Sequence, residues 1–284
     1  MSTQHKSASG FTVTRNGEHL FVDISSLINT KIGFHPHLTD PNASMGSSTQ
    51  DMLEKKCSGL STKDYFVSTL VESILSAIQP KYESIKVCLT GSDSHELSNL
   101  VGGDVESSEL NPTMGRRGVS KHVSKEYQVA FALECEVIKQ LREQHSHIEI
   151  VIPFVRTLSD AASIIDKLAE QGLPRGLNGL KVHFSVDTPS AALLSDRLLH
   201  YFDGVVVNLS NLAQLTLGID SSNENLSYLF DLDNESVLLL LDKVVESCQA
   251  SNKSSVAITG DLDQLPKTKD YLLNNPVAQA YVTV

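Results

Sequence analysis

From residue 148 onward the chain alternates, at short and even spacing, between apolar runs rich in β-branched residues and runs with helical periodicity. The strand-like runs lie at 148–153, 180–186, 204–208, 255–259 and 279–284. Between them, helical patterns cover 158–171, 190–201 and 234–251. A short apolar run without polar alternation is a strand buried on both faces. A helix between two such strands makes a crossover that leaves them parallel. Few architectures accept a chain written this way, and all place helices over a parallel sheet.

The first half holds fewer strands and longer connections. Residues 1–10 are polar and serine-rich, and Phe11-Thr-Val-Thr, Arg15-Asn-Gly-Glu and Leu20-Phe-Val-Asp-Ile read as a hairpin turning at Asn16-Gly17. A loop-rich stretch, 26–60, leads to a helix capped at Ser61 or Thr62 and stopped by Pro80, then to a strand at 85–89. A second helix covers 124–144. With strands near 20–24 and 116–118, the count reaches eight, which predicts a (β/α)8 TIM barrel. A doubly wound open sheet is the alternative. It usually carries a glycine-rich phosphate turn, and neither GxGxxG nor GxxxxGK[ST] occurs. The domain boundaries read as 1–18 for a tail and hairpin and 19–284 for the barrel. With Val284 closing the last strand, a covering helix is missing there, so a homodimer contact or the N-terminal segment is expected over that face.

The 284 residues carry a net charge of −11 with no basic cluster, which excludes a nucleic-acid partner. No apolar run spans a membrane and no leader is legible at the N-terminus, so the cytoplasm is the expected location. Cys57, Cys88, Cys135 and Cys248 form no CxxC pair and read as small buried hydrophobes.

In a barrel the C-terminal strand ends gather at one rim, where the chemistry is done. Those ends supply Arg117 and Arg156, which suit a small carboxylate or phosphate. They also supply Asp187 beside Ser210 and Asn211, a carboxylate and an amide with oxygen ligands of the kind Mg2+ takes.

Several long motifs fall here in order. They are Asn111-Pro-x-x-Gly-x-Arg-Gly118, Val129-Ala-Phe-Ala-Leu-Glu-Cys-Glu136, Ile152-Pro-Phe-Val-Arg-Thr157 and Gly172-Leu-x-Arg-Gly-x-Asn-Gly-Leu-Lys181. With Gly33-Phe-His-Pro36, Asn99-Leu-Val-Gly-Gly103, Tyr201-Phe-Asp-Gly204 and Gln214-Leu-Thr-Leu-Gly218, the chain resembles the C-terminal barrel of phosphoenolpyruvate synthase (pyruvate, water dikinase) from about residue 20 onward. The resemblance implies a barrel that binds pyruvate or phosphoenolpyruvate with Mg2+, and a homodimer. It leaves the nucleotide and phosphohistidine work to other domains, so no nucleotide site is expected in this chain.

The resemblance also implies roles for single residues. Arg117 and Arg156 keep two substrate arginines, while a third, on the strand ending at Cys88, is gone. The family's metal-binding glutamate falls on Asp187 and its metal-binding aspartate on Asn211, with Ser210 beside it. The acid-base cysteine falls on Thr259. An amide in place of a carboxylate removes a full charge, and Asp is a methylene short for a metal that tolerates little departure from octahedral geometry. A threonine hydroxyl is a poor proton donor beside a thiol, and losing such a donor typically costs about 10²–10⁴-fold in rate. The implied reading is a weakened Mg2+ site and a catalytically degenerate barrel, acting as a binding or regulatory module for a small anionic 2-oxo acid or phosphoenolpyruvate. The alternatives are a residual phosphotransfer half-reaction with a phosphohistidine partner, or a lyase acting on a 2-oxo acid.

Overall fold

The computed structural model describes residues 10–13, 18–259, 262–275 and 280–283, and of residues 256–259 and 280–283 the backbone alone. One sheet holds eight strands in strictly consecutive order. They are β1 (Phe11–Val13), β2 (His19–Asp23), β3 (Ser84–Cys88), β4 (Ile148–Ile152), β5 (Val182–Val186), β6 (Gly204–Asn208), β7 (Ser254–Thr259) and β8 (Ala280–Thr283). From β2 to β8 each strand pairs in parallel with the next, while β1 pairs antiparallel with β2, Phe11 opposite Val22. β1 also runs within 8 Å of β8, Cα to Cα, so the sheet curls round into a barrel. An open doubly wound sheet needs a reversal of strand order, and there is none.

The strand expected near 116–118 does not form. β3 pairs directly with β4, Ile85 opposite Ile148, which leaves that segment no ladder to join. Its backbone is pressed onto the end of β4 instead. Gly118 sits at φ +50°, and a Cβ there would stand 2.2 Å from the Pro153 carbonyl oxygen. The eighth stave is the hairpin arm β1; the Asn16-Gly17 turn lies outside the described residues.

Helices fill the connections. After β2 come α1 (Ile24–Leu27), α2 (Ser47–Cys57) and α3 (Thr62–Ala77), the last capped by Ser61. After β3 come α4 (Ser94–Ser98), α5 (Val119–His122) and α6 (Gln128–Gln144). α7 (Leu158–Glu170) follows β4 and starts from a reciprocal capping box between Thr157 and Asp160. α8 (Pro189–Leu193) and α9 (Ser195–Leu198) follow β5, α10 (Leu209–Leu217) and α11 (Glu235–Ala250) follow β6, and α12 (Pro266–Asn274) follows β7.

Strand residues alternate between two cores. Leu20, Val22, Val87, Ile150, Phe184 and Val205 face outward into the large core under the helices. Phe21, Cys88, Val151 and Val206 meet inside the barrel. Deeper on the same inner face, Lys86, Glu149 and His183 close the lumen with an ion pair and an imidazole. Glu149 Oε2 lies 3.0 Å from Lys86 Nζ and 2.9 Å from His183 Nε2, and Lys181 reaches Oε1 at 3.3 Å. Burial opposes ionisation of Glu149, but the His183 hydrogen bond and the Lys86 charge hold it well below the usual carboxylate range. Gly204 makes room for the imidazole, since a Cβ there would lie 2.6 Å from His183 Nδ1. Among the described residues no helix is long and apolar enough to cross a membrane.

Candidate anion site

The rim is assembled by four strand ends and one loop. β5 delivers Asp187, which is 2 % exposed. Its Oδ2 accepts the Phe154 backbone N–H at 2.9 Å, and its Oδ1 accepts the Asn211 side-chain amide at 2.7 Å. β6 ends in Asn208, whose side chain caps α10 by accepting the Asn211 backbone N–H at 3.1 Å. That cap places Asn211 on the first turn facing Asp187, with Ser210 exposed beside it. The sequence expectation that Asp187 and Asn211 stand side by side therefore holds at atomic distance.

The two arginines converge on one ring. Arg117 Cζ lies 4.2 Å and Arg156 Cζ 5.4 Å from the Phe154 ring centroid. A guanidinium over an aromatic face is attracted by the ring quadrupole, so the phenyl helps to hold both. Backbone carbonyls do the rest. Arg117 Nε donates to Gly91 O at 3.0 Å, and Arg156 Nη2 donates to Gly115 O at 3.2 Å. Burial pulls the Arg156 guanidinium below its ordinary value, opposed by the Asp160 and Asp187 carboxylates. Among the described residues the nearest carboxylate ion pair to either head is Asp93, 4.0 Å from Arg117. Two cations fixed by carbonyls and poorly neutralised by carboxylates make a seat for a small planar or tetrahedral anion.

Phe154 was not foreseen. It takes φ +55°, a conformation that costs a non-glycine residue of order 1–3 kcal/mol and persists only where its surroundings enforce it. Here the Asp187 carboxylate holds its N–H, and the two cations lie against its ring. Glu134 was quoted only within a motif. Its signal was legible all the same, as a carboxylate between Leu133 and Cys135 on the apolar side of α6. It is fully buried, and its Oε2 accepts the Thr90 N–H at 2.7 Å. Behind the rim, Glu106 joins His35 (3.1 Å) to Lys121 (2.5 Å). Burial disfavours its charge, yet the His35 and Lys121 hydrogen bonds hold it down to about 2. Thr259 ends β7, and its side chain lies outside the described part, as does all of Asp261.

Residues 3–277 match the family described as PEP-utilising enzyme, PEP-binding domain. The chain belongs to that family. Phosphoenolpyruvate synthases of Pseudomonas aeruginosa (strain UCBPP-PA14) and Escherichia coli (strain K12) are each 37% identical to it over 234 residues, 80% of this chain and 29% of theirs. The phosphoenolpyruvate synthase of Helicobacter pylori (strain ATCC 700392 / 26695) is 32% identical over 253 residues, 87% of this chain and 31% of its own. The chain thus spans under a third of the length of these relatives. Within this barrel, the arginine pair and the Asp187–Asn211 pair occupy the C-terminal rim. A separate acid and histidine group, Glu18, His19 and Glu83, lies at the opposite, N-terminal ends of β2 and β3 with its ligand atoms within 4.8 Å of one another.

Proposed function

We propose that this PEP-binding barrel seats phosphoenolpyruvate, or a 2-oxo acid of the same shape, between Arg117 and Arg156 without Mg2+. On this reading it no longer performs phosphoryl transfer and serves as a binding or regulatory module. The observation that carries the proposal is the closed pair of Asp187 and Asn211. Both Asp187 oxygens already accept N–H donors, and Asn211 turns a donor toward it at 2.7 Å. A divalent cation needs oxygen lone pairs at that point, and a carboxylate–amide hydrogen bond offers it a proton instead. With the amide donor turned toward the carboxylate, these residues do not fit the metal.

The shortage extends to proton transfer. Cys88 sits in the lumen with its thiol pushed well above the ordinary range, by burial first and then by Asp23, Asp187 and Glu134, so it offers no thiolate. Thr259 supplies a hydroxyl where the resemblance calls for a thiol. What remains is recognition: two cations, an aromatic support and a fixed carboxylate that sets orientation.

Deuterium exchange into the pyruvate methyl group, followed by NMR, tests the loss of chemistry. The expected result is exchange no faster than in buffer, with or without Mg2+. Oxalate binding that disappears in Arg156→Ala is the companion result for the seat. Mg2+-dependent exchange would instead favour the residual half-reaction or a lyase. Four buried free cysteines suit the reducing cytoplasm. A homodimer is part of the same proposal, supported by Leu193 on α8 and Leu239 on α11, which project into solvent from two helices packed together. Sedimentation velocity of the full chain, compared with Leu239→Glu, tests it.

A further inference from the structure

We propose that Glu134 is a positioning residue of the anion site, which sets Arg117 through the Thr90–Gly91 turn and holds a proton when the rim is occupied. The proposal rests on the anion-seat reading above and names how that seat is regulated. The turn has three ties. Thr90 N–H donates to Glu134 Oε2 at 2.7 Å, Gly91 N–H donates to Ser25 Oγ at 3.0 Å, and Gly91 O accepts from Arg117 Nε at 3.0 Å. Arg117 in turn lies on the Phe154 ring. One peptide thus links a buried carboxyl on α6 to the cation that meets the ligand.

The second carboxyl oxygen favours a proton. Oε1 accepts no hydrogen bond, and His122 Nε2 stands 3.9 Å from it. Both His122 ring nitrogens are likewise buried without hydrogen-bond partners, while the Thr90 hydroxyl lies beside both Glu134 and Tyr127. Burial, with Lys121 adding to it, pulls His122 down to about 3, so it faces Glu134 as a neutral imidazole and brings no compensating positive charge. The remaining neighbours are unfavourable to a second anion. Asp23, from the end of β2, raises Glu134, and burial has already pushed the Cys88 thiol of β3 and the Cys135 thiol of α6 upward. Tyr127 is neutral for the same reason. Burial, outweighing the Thr90 hydrogen bonds, lifts Glu134 to about 7. A dianion arriving beside Arg117 adds negative charge to this neighbourhood, so binding draws a proton onto Glu134, and affinity falls as pH rises.

The test is calorimetric titration of the full chain with oxalate, a dianion throughout the range, from about pH 6 to about pH 8.5 in buffers of different ionisation enthalpy. Wild type is expected to lose about tenfold in affinity across that range and to take up a fraction of a proton near neutrality. Glu134→Gln keeps an acceptor for Thr90 N–H and is expected to bind with a flat pH profile. Glu134→Ala removes the acceptor and is expected to bind more weakly at every pH. The same pH slope in wild type and Glu134→Gln would overturn the proton coupling. Unchanged affinity in Glu134→Ala, with its fold verified by circular dichroism, would overturn the positioning role. Absence of oxalate binding by wild type at any pH would remove the anion seat itself, a failure distinct from an unaltered pH slope.

Discussion

A carboxylate that accepts two N–H groups and faces a neutral amide is stable without a cation; two facing carboxylates are not. Asn211→Asp therefore makes a sharp test of the rim. Without metal the variant must either protonate one acid or hold two charges together, and a loss of about 2–4 kcal/mol is expected in urea unfolding near pH 8. Added Mg2+ should restore most of it, while wild type should be insensitive to the metal. Equal stability of variant and wild type without Mg2+ would mean the pair is not in contact. At this scale the meeting of Asp187 with Asn211 was legible because both fall at the ends of neighbouring strand patterns. Phe154 was not, because a positive φ in a non-glycine residue is imposed by a contact from the end of β5, 33 residues on in the chain. Glu134 was half legible: an apolar helix face advertises a buried acid but not what the acid holds.

Elements place these residues, and two joints between elements matter most. Gly118 begins α5 at φ +50° with Pro153 against its Cα, and the adjacent Arg117 is fixed by that contact. Gly118→Ala combines left-handed strain with a backbone clash, so a loss of several kcal/mol, at least about 2, is expected in urea unfolding, with weaker oxalate binding. The other joint is Glu106, which ties the His35 turn to Lys121 on α5. A carboxyl held at about 2, below its unfolded value, contributes stability above the unfolded value and loses it as pH falls toward 2. Glu106→Gln is expected to cost of order 2–3 kcal/mol at pH 7 and almost nothing near pH 2, measured by thermal or urea unfolding at each pH. The strands from 148 onward were legible because β-branched runs and helical spacing are local signals. The segment 116–118 was misread as a strand because three residues carry no period. Its true conformation is set by the carbonyl of Pro153, far along the chain.

Across the whole molecule the barrel separates its charges along its axis. Lys86 and Glu149 neutralise each other inside the lumen, with His183 hydrogen-bonded to Glu149, while Arg117 and Arg156 remain held by carbonyls at the rim. An acidic protein of net charge −11 thus keeps a local cationic seat in a position where the fold exposes ligands. Helices over a parallel sheet were legible from alternation; the count of eight was reached through 116–118, whose place in the sheet is taken by β1. The antiparallel β1 stave was not, since a hairpin signal does not say which strand its first arm will approach on the far side. The seat's independence from metal is open to one direct measurement: calorimetric titration of the full chain with oxalate, in chelator and then in millimolar Mg2+. The expected result is the same affinity in both, lost in Arg156→Ala. Tight binding that appears only with Mg2+ would contradict it.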